Sequence, residues 1–302
     1  MLTIATSLII GSLSDSSRTV YKRSWQHFKH VCNIFSMGHK AASINTILVY
    51  ISYCSQLTLS YNTVLTRISA ISFVQRIRQL QDNTQSFLVR KALKGYKNIL
   101  HNNDKRKPIT KQLLNQMCQY VSSFVTDHYQ VSLFQSMFLL SFHAFLRVGE
   151  MTVNSSNVQN VLQCKQVKIV SKAGKLTGIE IFFRYFKHSK HETFTLLIPR
   201  QTCIFCPVKA LHAYLQLRPK KAGPLFIFQD GKPISSSYFN TIIKSTITLI
   251  LGSDCGYSSH SFRIGAATHC CQNGYSKETI STMGRWRSNA VNKYIRIPSF
   301  RV

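Results

Sequence analysis

Apolar positions recur at three- and four-residue spacing through most of this 302-residue chain. Behind Ser14 or Ser16, either of which can cap a helix, Tyr21, Trp25, Phe28, Val31, Cys32 and Phe35 mark the buried face of an amphipathic helix ending near Phe35. The same spacing predicts helices at about 43–57, 60–78 and 84–99. A polar and charged stretch, HNNDKRKPI at 101–109, then interrupts the pattern and carries Pro108. It is the linker, dividing a helical N-terminal domain of residues 1–105 from a second domain of residues 106–302. A chain this long can bury two cores.

Past the linker, Ile109-Thr110 begins a helix through about Thr126, and an apolar helix runs from about Val131 to Phe145, ending beside Arg147. The period then changes. CKQVKIV, GIEIFFRYF and FTLLIP alternate or cluster β-branched and aromatic residues, with Gly174 and Gly178 between the first two and KHSKHE between the last two. Three antiparallel strands with a lysine-rich tip are the simplest arrangement. Helices resume at about 206–217, 235–250, 259–273 and 276–284, with a short one near 289–295; RPKKAGPLF and QDGKP mark turns. No internal repeat and no low-complexity tract is present. The expected fold is mostly α with one small antiparallel β-sheet.

Charge narrows the partner. Lys and Arg number 38 against 10 Asp and Glu, a formal charge of +28 spread over the whole length. A phosphate polymer is the natural counter-ion. With 44% hydrophobic and 11% aromatic residues the chain folds around a core, unlike the low-complexity basic tails that bind ribosomal RNA or membrane surfaces. The third helix carries Arg67, Arg76 and Arg78, and the fourth Arg90, Lys91, Lys94 and Lys97, while Asp82 is the only acid between 43 and 103. So one-sided a bias assigns these faces to DNA phosphates rather than to plain solvated surface.

No run of eighteen apolar residues could span a bilayer. The opening MLTIATSLIIG lacks a basic start and a cleavage site, so it reads as a packed or frayed N-terminal segment and not as a secretion signal. Nine cysteines without a framework rhythm suit a reducing compartment such as the nucleus or cytosol, and the nucleus fits a DNA partner. Cys203 and Cys206 have metal-ligand spacing, but His212, Cys164, Cys270 and Cys271 make no second knuckle; no metal is expected, and the thiols read as buried.

The candidate chemistry is a constellation: Arg147 in AFLRVGEM, then His260-Ser261-Phe262-Arg263, then Tyr294 in NKYIR. Two guanidiniums and an imidazole can clamp a phosphodiester and stabilise its trigonal-bipyramidal transition state, while a phenol hydroxyl attacks phosphorus and becomes joined to the DNA. The i,i+3 spacing puts His260 and Arg263 on one helix face. Phenols have a pKa near 10, so attack needs the cationic pocket to stabilise the phenolate and a base, His260, to take the proton. The bond energy is kept in the phosphotyrosine, so no cofactor is needed. A two-metal nuclease or transposase would need converging carboxylates, and no two acids after Glu150 lie within ten positions of one another.

This order of residues resembles the tyrosine recombinase (phage integrase) family, over nearly the entire chain. More narrowly, SFLVRKALKGYK, RKPIT, FKHSK, HSFRIGAATH and MGRWRSNAVNKYIR resemble recombinases of eukaryotic mobile elements of the Crypton and DIRS kinds. The resemblance implies a helical core-binding (SAM-like) domain followed by an α+β catalytic domain, and a DNA recombinase or integrase that works through a 3′-phosphotyrosyl intermediate in mobile-element integration or excision. Arg147 matches the family's first phosphate clamp, and Glu150 its supporting acid, which could orient a guanidinium or a backbone donor. His260 and Arg263 match the second box, and Tyr294 the nucleophile.

A hairpin lysine serves the family as general acid on the 5′-hydroxyl leaving group. Lys187 in FKHSK and Lys190 nearer the tip both qualify, Lys187 being preferred; either could instead contact backbone phosphate. Where most members carry His or Trp, nine residues before the nucleophile, this chain has Arg285 with Trp286 adjacent. Either can donate to the scissile phosphate, Trp286 being ranked first, or its indole can pack on the nucleophile segment. The resemblance further implies a C-shaped clamp on double-stranded DNA and self-assembly to a dimer and tetramer, with the short SFRV end or another surface mediating exchange between protomers. The alternatives are a type IB topoisomerase, or a domesticated, inactive element protein that only binds DNA.

Overall fold

The computed structural model describes residues 4, 8–9, 11–99, 105–153, 158–184, 193–254, 256–286 and 289–296. They form two compact units, Met1–Lys105 and Arg106–Val302, each with its own core.

Among the described residues, the first unit holds the helices α1 (Asp15–Ile34), α2 (Ile44–Gln56), α3 (Tyr61–Ile77) and α4 (Phe87–Ile99). The first three start behind Ser14, Ser43 and Ser60, whose hydroxyls accept the backbone N–H three residues on and so satisfy an otherwise orphaned donor. Phe28, Val31, Ile47, Tyr50, Val64, Ile71, Val89 and Tyr96 close the core. The Tyr96 hydroxyl donates to the carbonyls of Leu59 and Cys54, tying α4 to the end of α2. Phe35, expected on the buried face of α1, is instead its exposed C-cap, because the helix stops one residue earlier. Of the first ten residues, Ile4, Leu8 and Ile9 are described, and all three are exposed.

In the second unit, Thr110 caps α5 (Lys111–Tyr120) by accepting the Leu113 N–H. The helix expected to reach about Thr126 ends sooner and continues as a 3₁₀ turn, Val121–Ser123, where the Ser122 hydroxyl bonds the Gln119 carbonyl. Asp127 caps α6 (His128–His143), so this helix starts a turn before Val131; it stops ahead of Phe145, whose φ is +49°. Buried on nearly every side, α6 packs against the later helices of the unit, and its buried Ser136 donates to the Ala210 carbonyl. A single turn, α7 (Val148–Met151), follows.

The sheet has antiparallel order β1 (Val167–Lys172), β2 (Lys175–Phe183), β3 (Phe194–Pro199). Its register pairs Ile169 with Ile179 and Ile181 with Leu196, turning Ile179, Ile181, Phe183, Leu196 and Ile198 inward. Cys164–Gln166, expected as strand, is a 3₁₀ turn: the Gln166 side chain accepts the Gln163 N–H, a local bond that delays the ladder to Val167. The lysine-rich tip lies outside the described residues. Then come α8 (Pro207–Leu217), α9 (Ser236–Leu251), α10 (His260–Gln272) and α11 (Lys277–Gly284); the last expected helix is a 3₁₀ turn, Asn289–Lys293. At Gly265, α10 crosses the chain just before α5 so closely that a Cβ would collide with the Ile109 carbonyl. Among the described residues, no helix is long and apolar enough to cross a membrane.

Candidate active site

Arg147 enters the site from the turn that leaves α6. It occupies the N-cap of α7 in extended conformation, and Glu150, one turn on, reaches back: Oε2 accepts the Arg147 N–H at 2.9 Å and Oε1 accepts from Nη1 at 2.9 Å. Oε2 also takes a bond from Arg285 Nη2 at 2.7 Å. One buried carboxylate therefore joins two guanidiniums and a backbone amide. Burial alone would raise the Glu150 carboxyl, but Arg285, Arg147 and the Arg147 amide outweigh it and hold its pKa below the ordinary range.

His260 opens α10, and Arg263 lies one turn on. Arg263 is fully buried, donating to the Phe145 carbonyl and, at 2.8 Å, to the Gly284 carbonyl. Its Cζ sits 4.5 Å from the Trp286 ring and 5.5 Å from that of Tyr294. Burial and the nearby Arg147 guanidinium push its pKa down, with Glu150 opposing them.

At the end of α11 the backbone turns left-handed at Arg285, φ +54°. Its side chain points inward and is 1% exposed: besides Glu150, it reaches the carbonyls of Ala144 at 3.2 Å and Phe145 at 3.3 Å, and its Cζ lies 3.9 Å from the Phe183 ring. Trp286 folds back onto Gly284, where any Cβ would strike the indole. The indole meets Phe145 edge-on at 5.8 Å. Trp286 Nε1, Arg263 Nε and Arg285 Nε are buried donors without an acceptor among the described residues.

The 3₁₀ turn delivers Tyr294 into this cluster. Its ring centroid is 4.6 Å from Trp286 and 5.0 Å from His260. Thr268 of α10 stitches the segment down, donating to the Tyr294 carbonyl and accepting the Arg296 N–H at 3.0 Å. The structure thus brings His260, Arg263, Trp286 and Tyr294 together, and ties Arg147 and Glu150 to them through Arg285 and the Phe145 carbonyl. Lys187 and Lys190 lie outside the described residues.

The profile of the phage integrase family matches residues 107–298. This chain belongs to the phage integrase family. Its members, the tyrosine recombinases, cut and rejoin DNA. The fold is similar to the Tn1549 transposon integrase solved with circular-intermediate DNA, at 14% identity and a TM-score of 0.63 over 96% of this chain and 92% of that one. It is also similar to XerH recombinase in a post-cleavage complex with a palindromic difH substrate, at 16% identity and 0.61 over 91% and 73%. A lambda integrase dimer on a COC′ core site matches at 12% identity and 0.55 over 85% and 65%. No curated protein matches the sequence significantly.

The cations of the first unit are placed unequally. Arg90, Lys91 and Lys94 are exposed on α4; Arg90 and Lys94, with Lys97, Tyr21, Tyr61 and Phe73, line a groove of about 660 Å³, while Lys91 lies over the Phe87 ring at 5.1 Å. Arg78 is exposed and stacks over Trp25 at 5.1 Å. Arg76 is held by Asp82 at 2.7 Å. Arg67 is half-buried, its Nη1 3.1 Å from His27 Nδ1 and 3.8 Å from Cys54 Sγ; burial and this guanidinium push the His27 pKa down.

Sequence reasoning missed Thr268, Phe145 and Phe183, whose parts are played by a hydroxyl, a backbone carbonyl and a ring that no residue-type pattern marks. It also missed a second polar cluster, at the end of α6: Lys111 Nζ lies 2.8 Å from His143 Nε2, and Gln201 Nε2 lies 3.3 Å from His143 Nδ1. The thiols of Cys203 and Cys206 both bond Gln201. Among the described residues, no group of three His, Cys, Asp or Glu is arranged to hold a metal ion.

Proposed function

We propose that the chain is a site-specific DNA recombinase in which the Tyr294 hydroxyl attacks a phosphodiester, forming a 3′-phosphotyrosyl link and freeing a 5′-hydroxyl. Rejoining is the reverse attack by a 5′-hydroxyl on the phosphotyrosine. The observation that carries the reading is the packing of the Tyr294 ring against His260, Trp286 and Arg263, at 5.0, 4.6 and 5.5 Å. Arg147 and Arg263 neutralise the non-bridging oxygens, whose charge grows in the transition state. His260 accepts the phenol proton. Trp286 Nε1, a buried donor with no acceptor among the described residues, supplies the remaining hydrogen bond to the phosphate. Lys187, or in its place Lys190, protonates the leaving 5′-oxygen.

The partner is double-stranded DNA, gripped by the exposed cations of α4 as well as by the site, and the active assembly is a dimer or tetramer on that DNA. The Crypton- and DIRS-like motifs, together with the likeness to a transposon integrase solved on circular-intermediate DNA, support a role in mobile-element integration or excision, carried out in the nucleus. The test is a nicked suicide substrate built from candidate element termini. Wild type is expected to give a covalent adduct that survives denaturing gels, and Tyr294→Phe none. An adduct with both proteins removes Tyr294 as nucleophile; none with wild type on any terminus tried rejects the recombinase reading.

A further inference from the structure

We infer that Arg285 never touches the DNA but is a positioning residue: acting through Glu150 it sets the Arg147 guanidinium, and its left-handed backbone turns Trp286 to the Tyr294 side. The inference rests on the reading of Arg147 as a phosphate clamp and adds what holds that clamp.

Three observations carry it. The Arg285 side chain is 1% exposed, and both terminal nitrogens are spent on Glu150 Oε2 and the carbonyls of Ala144, Phe145 and Met283. The oxygen it binds, Oε2, is the same atom that accepts the Arg147 N–H, while Oε1 holds the Arg147 side chain, so a shift of Arg285 rotates the carboxylate that fixes Arg147 at two points. Finally, the φ of +54° at residue 285 reverses the chain after Gly284, turning Arg285 toward Phe183 and Trp286 toward Tyr294. With ordinary right-handed backbone the helix would continue and the pair would not be split between the two sides. A guanidinium ion-paired to a buried carboxylate and braced by carbonyls is a rigid strut. Lysine, with one nitrogen, could keep the ion pair but not the brace.

The test uses the full chain and compares Arg285→Met, Arg285→Lys, Glu150→Gln and the Met/Gln double variant with Arg218→Met. Arg218 is the internal control: it is equally buried and bonds the carbonyls of Leu225, Pro219, Lys221 and Pro224, with no part in the site. Single-turnover cleavage at saturating protein is expected to fall ~100-fold in Arg285→Met, as for a misplaced catalytic group, with DNA affinity within about twofold. Arg285→Lys should recover part of the loss. The double variant should be no slower than the worse single, since both changes act on one element.

A readout that needs no cleavage accompanies this. Amide hydrogen exchange in the peptide spanning 144–151 should speed up in Arg285→Met and Glu150→Gln and stay at the wild-type rate in Arg218→Met. Additive losses in the double variant, or unchanged exchange at 144–151, overturn the inference. Failure of wild type to form the adduct with exchange behaving as expected rejects the recombinase reading while leaving the strut in place.

Discussion

The cations of α4 and the arginines behind the site are the same chemistry used in opposite ways. Arg90, Lys91 and Lys94 stand in solvent on a face without acids, and their charge is available to whatever arrives. Arg263, Arg285 and Arg218 are buried, and their terminal nitrogens are committed to carbonyls and, for Arg285, to Glu150. The difference teaches that a chain of formal charge +28 does not spend all of it on its ligand. Part of the positive charge is framework, held in place because guanidinium carries five donors in a planar fork that can satisfy several carbonyls at once.

The comparison breaks most readily at Arg263. Arg263→Met strips donors from the Phe145 and Gly284 carbonyls and removes the phosphate ligand proposed above, so cleavage should fall by at least ~1,000-fold and stability by about 3 kcal/mol. Single-turnover rates and denaturant unfolding measure the two losses. A variant that keeps its cleavage rate would return Arg263 to the class of Arg218, framework alone.

A smaller effect concerns a neighbour that must stay neutral. His143 lies against Lys111 Nζ, and burial, Lys111 and His269 together push its pKa down to about 3. Because the folded value lies below the unfolded one of about 6.5, the unfolded chain binds the proton first. Stability from this group is complete above about pH 6.5 and is lost as pH falls toward 3, at about 1.4 kcal/mol per pH unit for one proton. Unfolding measured from pH 7 to 4 should show that slope, and His143→Gln should flatten it. A slope unchanged by the substitution would assign the acid sensitivity elsewhere.

The smallest effects belong to α4. Arg90→Gln and Lys94→Gln should each weaken DNA binding several-fold, uniformly across sequences, and each lower the salt dependence of log K by about one. Folding and the single-turnover rate at saturation should be unchanged. An unaltered salt slope would remove these cations from the DNA interface and erase the contrast with the buried arginines.

Much of the fold was legible because local chemistry announced it. Ser14, Ser43, Ser60 and Thr110 each precede a periodic apolar run and each caps the helix that follows, and the alternation in GIEIFFRYF marks β2. The boundaries that moved did so where a side chain competed with the ladder, as Gln166 does before β1 and Ser122 after α5. In the site, the residue types were readable and their orientation was not. Arg285 and Trp286 are adjacent candidates for one position, and only a left-handed turn, at a residue type that does not favour one, sends the first toward Glu150 and Phe183 and the second toward Tyr294. The same holds for Phe145, whose positive φ presents its carbonyl to Arg263 and Arg285.

The backbone contact at Gly265 has a mechanical meaning. Lys107 N–H bonds the Gly256 carbonyl at 2.6 Å, Ile109 N–H bonds that of Ser261 at 3.1 Å, and the Ile109 carbonyl presses on Gly265. The strand of chain by which the second unit begins is therefore laced to the helix that opens with His260 and carries Arg263. A pull on those first residues is a torque on the helix that carries His260 and Arg263, within the second unit itself.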